Sequence, residues 1–319
     1  MKTLRYLLVF ASLLLSLPAF STAADKALND RLQQVASKGE VEAINALLKQ
    51  GADINAKSRF GKTPLMQSAE AGKSEAIMLL LSRGADVNAR TRSGSSALTY
   101  AAENGHEEIT AMLVEMGANV HDRTRTGWDA MMIASREGYA TIVAQLIEFG
   151  ADVRASDRRG NSALMYAIQG NHEEVVKTLF HYSNKVSPCV PNDQGVTPLM
   201  MAIDKRNRAI TLQLLPLSTN ISHKDKTGST ALHRAAVLGS SGLITELLRL
   251  KASINSQDEE GNTALMLAVA VNEVDAVKRL IEKGADANLK NLLDETAFDI
   301  AKKSKNKAIM DLLKKAMTK

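Results

Sequence analysis

The chain has 319 residues, of which 45% are hydrophobic, 24% are charged and only 4% are aromatic, and its formal net charge is +5. Length alone predicts about two domains, and the modest charge identifies no partner. The lone cysteine, Cys189, excludes a disulfide framework, and no later apolar stretch reaches the about 20 residues that span a bilayer. We interpret Cys189 as a surface loop thiol, with a mixed disulfide to a partner as the alternative.

Residues 1–23 have the layout of a secretory signal peptide. Lys2 and Arg5 give a positive start, residues 7–17 form an apolar run, and small residues follow Pro18. The run is too short for a spanning helix, and no cysteine near the cleavage point suggests a lipoprotein. We expect cleavage after Ala23 and a soluble chain in a bacterial periplasm, or secreted. The alternative is an uncleaved anchor or a buried helix.

The rest of the chain is built on one recurring motif. Each copy has a turn glycine, then Ser, Thr or Asp two residues later, then Leu or Met, as in RFGKTPLMQSAEAG and RSGSSALTYAAENG. The spacing is 33 residues, with one step of 35. The turn glycines are Gly61, Gly94, Gly127, Gly160, Gly195, Gly228 and Gly261.

Each copy predicts a turn followed by two short helices. The glycine supplies the positive φ of a tight turn, and the Ser, Thr or Asp caps the first helix. The second helix ends before another glycine, such as Gly84. Two such helices cannot bury their apolar faces alone, so neighbouring copies must stack. The predicted caps are Thr63, Ser96, Asp129, Ser162, Thr197, Thr230, Thr263 and Thr296.

The motif resembles the ankyrin repeat, with its Gly-x-Thr-Pro-Leu-His turn and Gly-Ala-Asp-Val-Asn loop, from about Leu28 to the end. The resemblance implies an all-α solenoid of about nine helix-turn-helix repeats with projecting hairpin loops, as one domain over residues 24–319. Repeats at about 28–57 and 291–317 would cap the ends. The middle is irregular, because an insertion with two prolines precedes a repeat in which Arg206 replaces a glycine.

No residue pattern predicts catalysis, a cofactor or a metal site. Ser304 to Lys307 matches S-x-x-K, and Lys226 to Gly228 matches K-T-G, but their order is reversed from that in penicillin-recognising enzymes. His106, His172 and His233 occupy positions at which ankyrin repeats often use histidine for internal hydrogen bonds. A methionine recurs where the family usually has histidine, and at roughly 10 Å spacing these side chains cannot share one ion. These core methionines are Met66, Met132, Met165, Met200 and Met266.

The turn tips differ between the two halves of the chain. The N-terminal tips are basic, whereas the C-terminal tips are neutral to acidic. In ankyrin repeats the tips and first helices form the concave binding face, so we expect a protein partner with an acidic and apolar patch. Nucleic acid or simple solvation of the arginines are alternatives. The predicted binding residues are Arg59, Phe60, Lys62, Arg90, Arg92, Arg123, Arg125, Trp128, Arg158 and Arg159.

Trp128, the only tryptophan, falls on one of these tips. Tryptophan and arginine are enriched in interface hot spots, so we expect a projecting anchor whose removal weakens binding without unfolding the protein. The alternative is that it folds back over a neighbouring hairpin. The favoured function is non-enzymatic binding by a monomer that inhibits, or protects against, a periplasmic enzyme such as a peptidoglycan hydrolase or protease. A scaffold or stress-related accessory of an enzyme such as a catalase, and a secreted effector that binds a host protein, are the other hypotheses.

Overall fold

Each first helix from the second pair onward begins directly after its predicted cap, as the local sequence predicts. Thr63 has extended backbone angles, and its side chain accepts a hydrogen bond from the backbone N–H of Met66. Pro64 occupies the first helical position, where its missing N–H leaves no gap in the helix. All eight predicted caps accept the equivalent hydrogen bond, so these predictions are confirmed.

The computed structural model describes residues 23–318 and contains 18 α-helices within that range, which form nine consecutive pairs. The first helices of the pairs are α1 (Ala23–Lys38), α3 (Pro64–Glu70), α5 (Ala97–Glu103), α7 (Ala130–Glu137), α9 (Ala163–Gln169), α11 (Pro198–Asp204), α13 (Ala231–Val237), α15 (Ala264–Ala270) and α17 (Ala297–Ser304). The second helices are α2 (Val41–Lys49), α4 (Ser74–Ser82), α6 (Glu107–Glu115), α8 (Ala140–Glu148), α10 (Glu173–Tyr182), α12 (Arg208–Leu214), α14 (Ser241–Arg249), α16 (Val274–Glu282) and α18 (Lys307–Met317).

One continuous hydrophobic cluster runs through the stack. Leu65 and Leu98, two residues after their caps, are buried in it, and Ala101 and Ala102 allow close packing of first helices. Burial of one such leucine stabilises the fold by roughly 1.5–3 kcal/mol. Phe298, on the first helix of the last described pair, is only partly buried. The all-α solenoid predicted from the repeat is therefore confirmed.

The first helix begins at Ala23, five residues before the expected start at Leu28. Residues 23–27 are AADKA, and alanine and lysine are strong helix formers, which accounts for the extension. The predicted signal peptide lies outside the described residues, apart from Ala23 itself. Within residues 23–318, no helix combines the length and hydropathy that crossing a bilayer requires.

The stack is least regular between α10 and α13. Residues 183–191 contain no helix, and a short 3₁₀ turn at Leu215–Leu217 follows α12. Arg206 has a φ of 55°, in the left-handed region where the other repeats mostly use glycine. A side chain in that region is strained by roughly 1–2 kcal/mol. These features place the local irregularity where the sequence predicts it.

We expect residues 184–220 to exchange their amide hydrogens faster than the repeats built from α3 to α8. Stability in a solenoid is approximately a sum of repeat and neighbour terms, so a strained repeat opens before its neighbours. Hydrogen exchange followed by mass spectrometry measures this directly. Equal protection in the two regions would contradict the prediction.

Candidate protein-binding surface

Eight hairpins project from the stack, one before each first helix from α3 to α17. Each is closed by a backbone hydrogen bond between residues four apart, such as Thr124 N–H to Trp128 O at 2.8 Å. Adjacent hairpins are also joined, as by Arg158 N–H to Thr126 O at 3.1 Å. We call these hairpins tips 1 to 8: residues 58–62, 91–95, 124–128, 157–161, 192–196, 225–229, 258–262 and 291–295.

The glycine of tip 3 shows how closely the backbones of adjacent tips approach each other. Gly127 has a φ of 90°, and a Cβ atom there would lie 2.9 Å from the backbone nitrogen of Arg158 in tip 4. Both the left-handed angle and the close approach of the two backbones require glycine. The tips are therefore a rigid row with fixed relative positions.

Tips 1 to 4 carry the predicted basic row, and the structure divides it into two groups. The first group comprises four exposed arginines on tips 2 to 4, whose guanidinium groups make no ion pair, hydrogen bond or ring contact within residues 23–318. An unpaired guanidinium keeps five donors and a full charge available to a partner. This free group is Arg92, Arg125, Arg158 and Arg159.

The second group braces the protein itself. Lys62 forms a 2.6 Å ion pair with Glu70 and lies 4.4 Å above the ring of Tyr100. Arg90 contacts Asp122 at 3.7 Å and donates to the Gly94 carbonyl. Among the predicted residues, Lys62, Arg90 and Arg123 are thus already engaged.

Arg123 bridges two loops, since it donates to the carbonyl of Ser156 at 2.9 Å. Its charge is therefore directed at the protein's own backbone.

At tip 1, by contrast, Phe60 is 62% exposed, and the guanidinium of Arg59 lies 4.5 Å from its ring centroid. Tip 1 presents an apolar and a positive group together.

Trp128 requires a correction to the sequence-based prediction. It is partly buried and packs against the core, rather than projecting freely from tip 3. Its ring centroid lies 4.4 Å from that of Tyr166 on α9, and the guanidinium of Arg136 lies 4.6 Å from its ring. The indole turns back because these two side chains provide apolar and cationic contacts that solvent does not.

Trp128 and Tyr166 form the wall of a pocket of about 540 Å³ between tips 3 and 4. The free arginines Arg125, Arg158 and Arg159 border it. This volume lies within the roughly 300–1,000 Å³ typical of ligand pockets. We call this pocket the Trp128 socket.

Asp157 is the carboxylate that lines the socket, and its oxygens are occupied. Oδ2 accepts a 2.5 Å hydrogen bond from the Tyr166 hydroxyl, and Oδ1 accepts from the backbone N–H groups of Arg159 and Asn161 at 2.8 Å. Burial raises the pKa of Asp157, but these hydrogen bonds outweigh it and hold the pKa below its usual range. Burial and the nearby carboxylate raise the pKa of Tyr166, which therefore stays a neutral donor.

The sequence analysis missed three residues of this surface: Tyr100, Arg136 and Tyr166. All three lie on first helices, and Tyr100 and Tyr166 share the position four residues after the cap. The same 33-residue register that located the tips could have located this inner row.

The C-terminal tips have the opposite character. Glu259 and Glu260 are exposed in tip 7, and Leu292 and Leu293 in tip 8 are 78% and 74% exposed. Leu292 N–H donates to Glu260 O at 2.9 Å, which joins the acidic tip to the apolar one. The tip row is thus basic at one end and acidic and apolar at the other.

The histidines and methionines have the structural roles that the sequence predicts. His106 and His172 contact the carbonyls of Glu70 and Arg136 at 3.1 and 2.8 Å, and buried His233 contacts the carbonyl of Asn262 at 3.1 Å. Each of the five core methionines is fully buried. Within residues 23–318, no three His, Cys, Asp or Glu side chains are grouped as metal ligands.

The S-x-x-K and K-T-G matches lie on different parts of the stack. Ser304 ends α17 and donates to the carbonyl of Ala301, whereas Lys226 to Gly228 belong to tip 6, two repeats away. Cys189 is half-buried in the irregular loop, where its sulfur accepts a hydrogen bond from the backbone N–H of Thr219 at 3.2 Å and lies 3.4 Å from the Thr219 hydroxyl. It has no disulfide partner in the chain.

The helix pairs and their projecting hairpins agree with the comparison with known families. A family model described as ankyrin repeats (3 copies) matches residues 32–124, 116–188, 182–258 and 232–318. No curated protein matches the chain. Since the four family matches together span nearly all of the described residues, the chain belongs to the ankyrin-repeat family.

Proposed function

We propose that this ankyrin-repeat stack binds an acidic partner protein stoichiometrically, outside the cytoplasm, through tips 1 to 4. The observation that carries the proposal is the set of four exposed arginines on tips 2 to 4 whose guanidinium groups make no ion pair or hydrogen bond within residues 23–318. Charges that a protein does not use for its own fold are available for steering and specific contact. Ankyrin-repeat proteins are generally binding modules rather than enzymes, which supports a non-catalytic role.

The signal-like N-terminus supports an exported location, in a bacterial periplasm or beyond it. In that compartment, a rigid curved surface that covers an active-site cleft would inhibit, or protect against, an enzyme. Enzymes that cut peptidoglycan or protein are suitable clients, because their uncontrolled activity damages the cell.

The experiment that tests this function is capture of the partner from the exported fraction. Wild-type protein should retain one protein in fixed stoichiometry, and the enzymatic activity of that protein should fall when the complex forms. Retention of no protein, or turnover of peptidoglycan by the purified chain alone, would refute the proposal.

A second candidate, a scaffold that joins two proteins, is favoured by the opposite ends of the tip row. The exposed leucines of tip 8 and glutamates of tip 7 would suit a partner with apolar and basic groups. The basic tips 1 to 4 would repel the same partner, so the two ends would select different proteins. Capture of two different proteins at once would support the scaffold over the inhibitor.

We expect the mature protein to begin near Ala24. The motivation is the positive start, short apolar run and small residues that precede this position. Intact mass measurement of protein purified from the exported fraction would show a chain without residues 1–23. A chain in that fraction that retains Met1 would contradict the cleavage and favour the uncleaved anchor.

A further inference from the structure

The Trp128 socket has features that a solvated face of a solenoid does not require. Its aromatic wall is fixed, because Trp128 is held between Tyr166 and the guanidinium of Arg136. Arg136 is itself paired with Glu103 at 3.4 Å and Glu137 at 2.5 Å. The wall is therefore already organised before any ligand arrives, which reduces the entropy lost on binding.

The charges around the wall are unbalanced. Arg125 belongs to tip 3, and Arg158 and Arg159 belong to tip 4, so two hairpins direct positive groups toward the same pocket. The hydrogen bond from Arg158 N–H to Thr126 O fixes the spacing of these hairpins. Among residues 23–318, Asp157 is the only carboxylate that lines the pocket, and it accepts hydrogen bonds from three internal donors.

An incoming carboxylate would complete this arrangement. Guanidinium groups bind carboxylates through paired hydrogen bonds, and these bonds strengthen beside an apolar surface that excludes water. The exposed part of the Trp128 ring would contact an apolar side chain next to the carboxylate. The two rings pack on each other, which leaves no slot between them for a nucleic-acid base.

We propose that the Trp128 socket binds a short acidic segment of the partner, with one carboxylate on Arg125 and Arg158 and a neighbouring apolar side chain on Trp128. The proposal rests on the proposed function and reverses the expected role of the tryptophan. Trp128 does not insert into the partner; the partner inserts into the socket that Trp128 lines. The ligand class is an acidic, partly apolar peptide.

Trp128 reports on its own socket, because it is the only tryptophan in the chain. The probe is a capped pentapeptide with two glutamates around a leucine, and the matched control peptide has glutamines in their place. We expect the acidic peptide to change tryptophan emission with saturation, and the glutamine peptide to produce no change. An equal response to both peptides, or a stronger response to single-stranded DNA, would overturn the proposal.

Matched variants separate the socket from the general charge of the tip row. Arg125→Gln with Arg158→Gln should weaken peptide binding by about tenfold or more, because two charged hydrogen-bond donors are lost. Lys226→Gln with Lys278→Gln removes the same charge from exposed residues outside the socket and outside tips 1 to 4, and should retain most of the affinity. Circular dichroism should show all variants folded. Equal losses in the two pairs would overturn the proposal.

The affinity of the captured partner for these variants separates a failure of the socket proposal from a failure of the proposed function. A partner whose affinity falls in the Arg125→Gln and Arg158→Gln variant supports both. A partner that binds this variant as tightly as wild type refutes the socket and leaves stoichiometric protein binding intact. Peptide binding without any captured partner supports the socket and refutes the proposed function.

Discussion

Replacement of Trp128 by alanine is expected to lower the free energy of unfolding by about 2 kcal/mol. Removing a fully buried tryptophan typically costs about 3–5 kcal/mol, and Trp128 is only partly buried. The contact with Tyr166 at 4.4 Å adds an aromatic pair worth about 0.5–1.5 kcal/mol. The loss should be measured by urea denaturation followed by circular dichroism, since the variant has no tryptophan fluorescence.

Two control variants make this result specific. Trp128→Phe keeps a ring against Tyr166 and should lose less than about 1 kcal/mol, because most of the aromatic contact remains. Arg125→Ala changes an exposed residue of the same tip and should alter stability by no more than about 0.5 kcal/mol. If Trp128→Ala unfolds at the wild-type urea concentration, the indole does not stabilise the repeat and the freely projecting anchor is the better description.

The loss of packing also changes how a binding defect in Trp128→Ala should be interpreted. The indole packs against the ring of Tyr166 and contacts the guanidinium of Arg136. Its removal would therefore disorder the socket wall as well as remove a contact surface. Reduced partner affinity in this variant alone would not separate the two effects. Trp128→Phe, which keeps the wall, is the variant from which a direct contact can be inferred.

The repeat predicts the fold because its signals are local. Thr63, Pro64 and Gly61 act within one turn and one helix, so their roles can be read from a few consecutive residues. The exposure of Phe60 also follows from its place at the tip of a hairpin. Such features depend on neighbours in sequence, which a single copy of the motif already contains.

The candidate site is less predictable because its geometry depends on residues in other repeats. The direction of Trp128 is decided by Tyr166, 38 positions later, and the engagement of Lys62 is decided partly by Tyr100. The sequence therefore identified the basic row but could not separate its free arginines from its bracing ones. Tip 8 belongs to the predicted capping repeat, and nothing in its sequence distinguishes its exposed leucines from the polar face expected there.

Reversing two of the free arginines, Arg92→Glu with Arg158→Glu, is expected to slow association with the partner by about tenfold or more at low salt. Long-range attraction between complementary surfaces raises association rates by about 10–10³, and the double variant replaces attraction with repulsion. Neither guanidinium makes an ion pair or a hydrogen bond within residues 23–318, so stability should hardly change. Stopped-flow or surface-based kinetics would measure the rate.

The position of the charges, rather than the net charge, should decide this effect. Lys278→Glu with Lys283→Glu changes the net charge equally, but these exposed lysines lie in and just after α16, away from the tips. This control should associate at close to the wild-type rate. Raising the salt concentration should make the association rates of wild type and the tip variant converge. The reason is that the Debye length falls from about 10 Å at 0.1 M to about 3 Å at 1 M, so the charges are screened. Equal slowing by the two variants would mean that overall charge, and not the basic tips, attracts the partner.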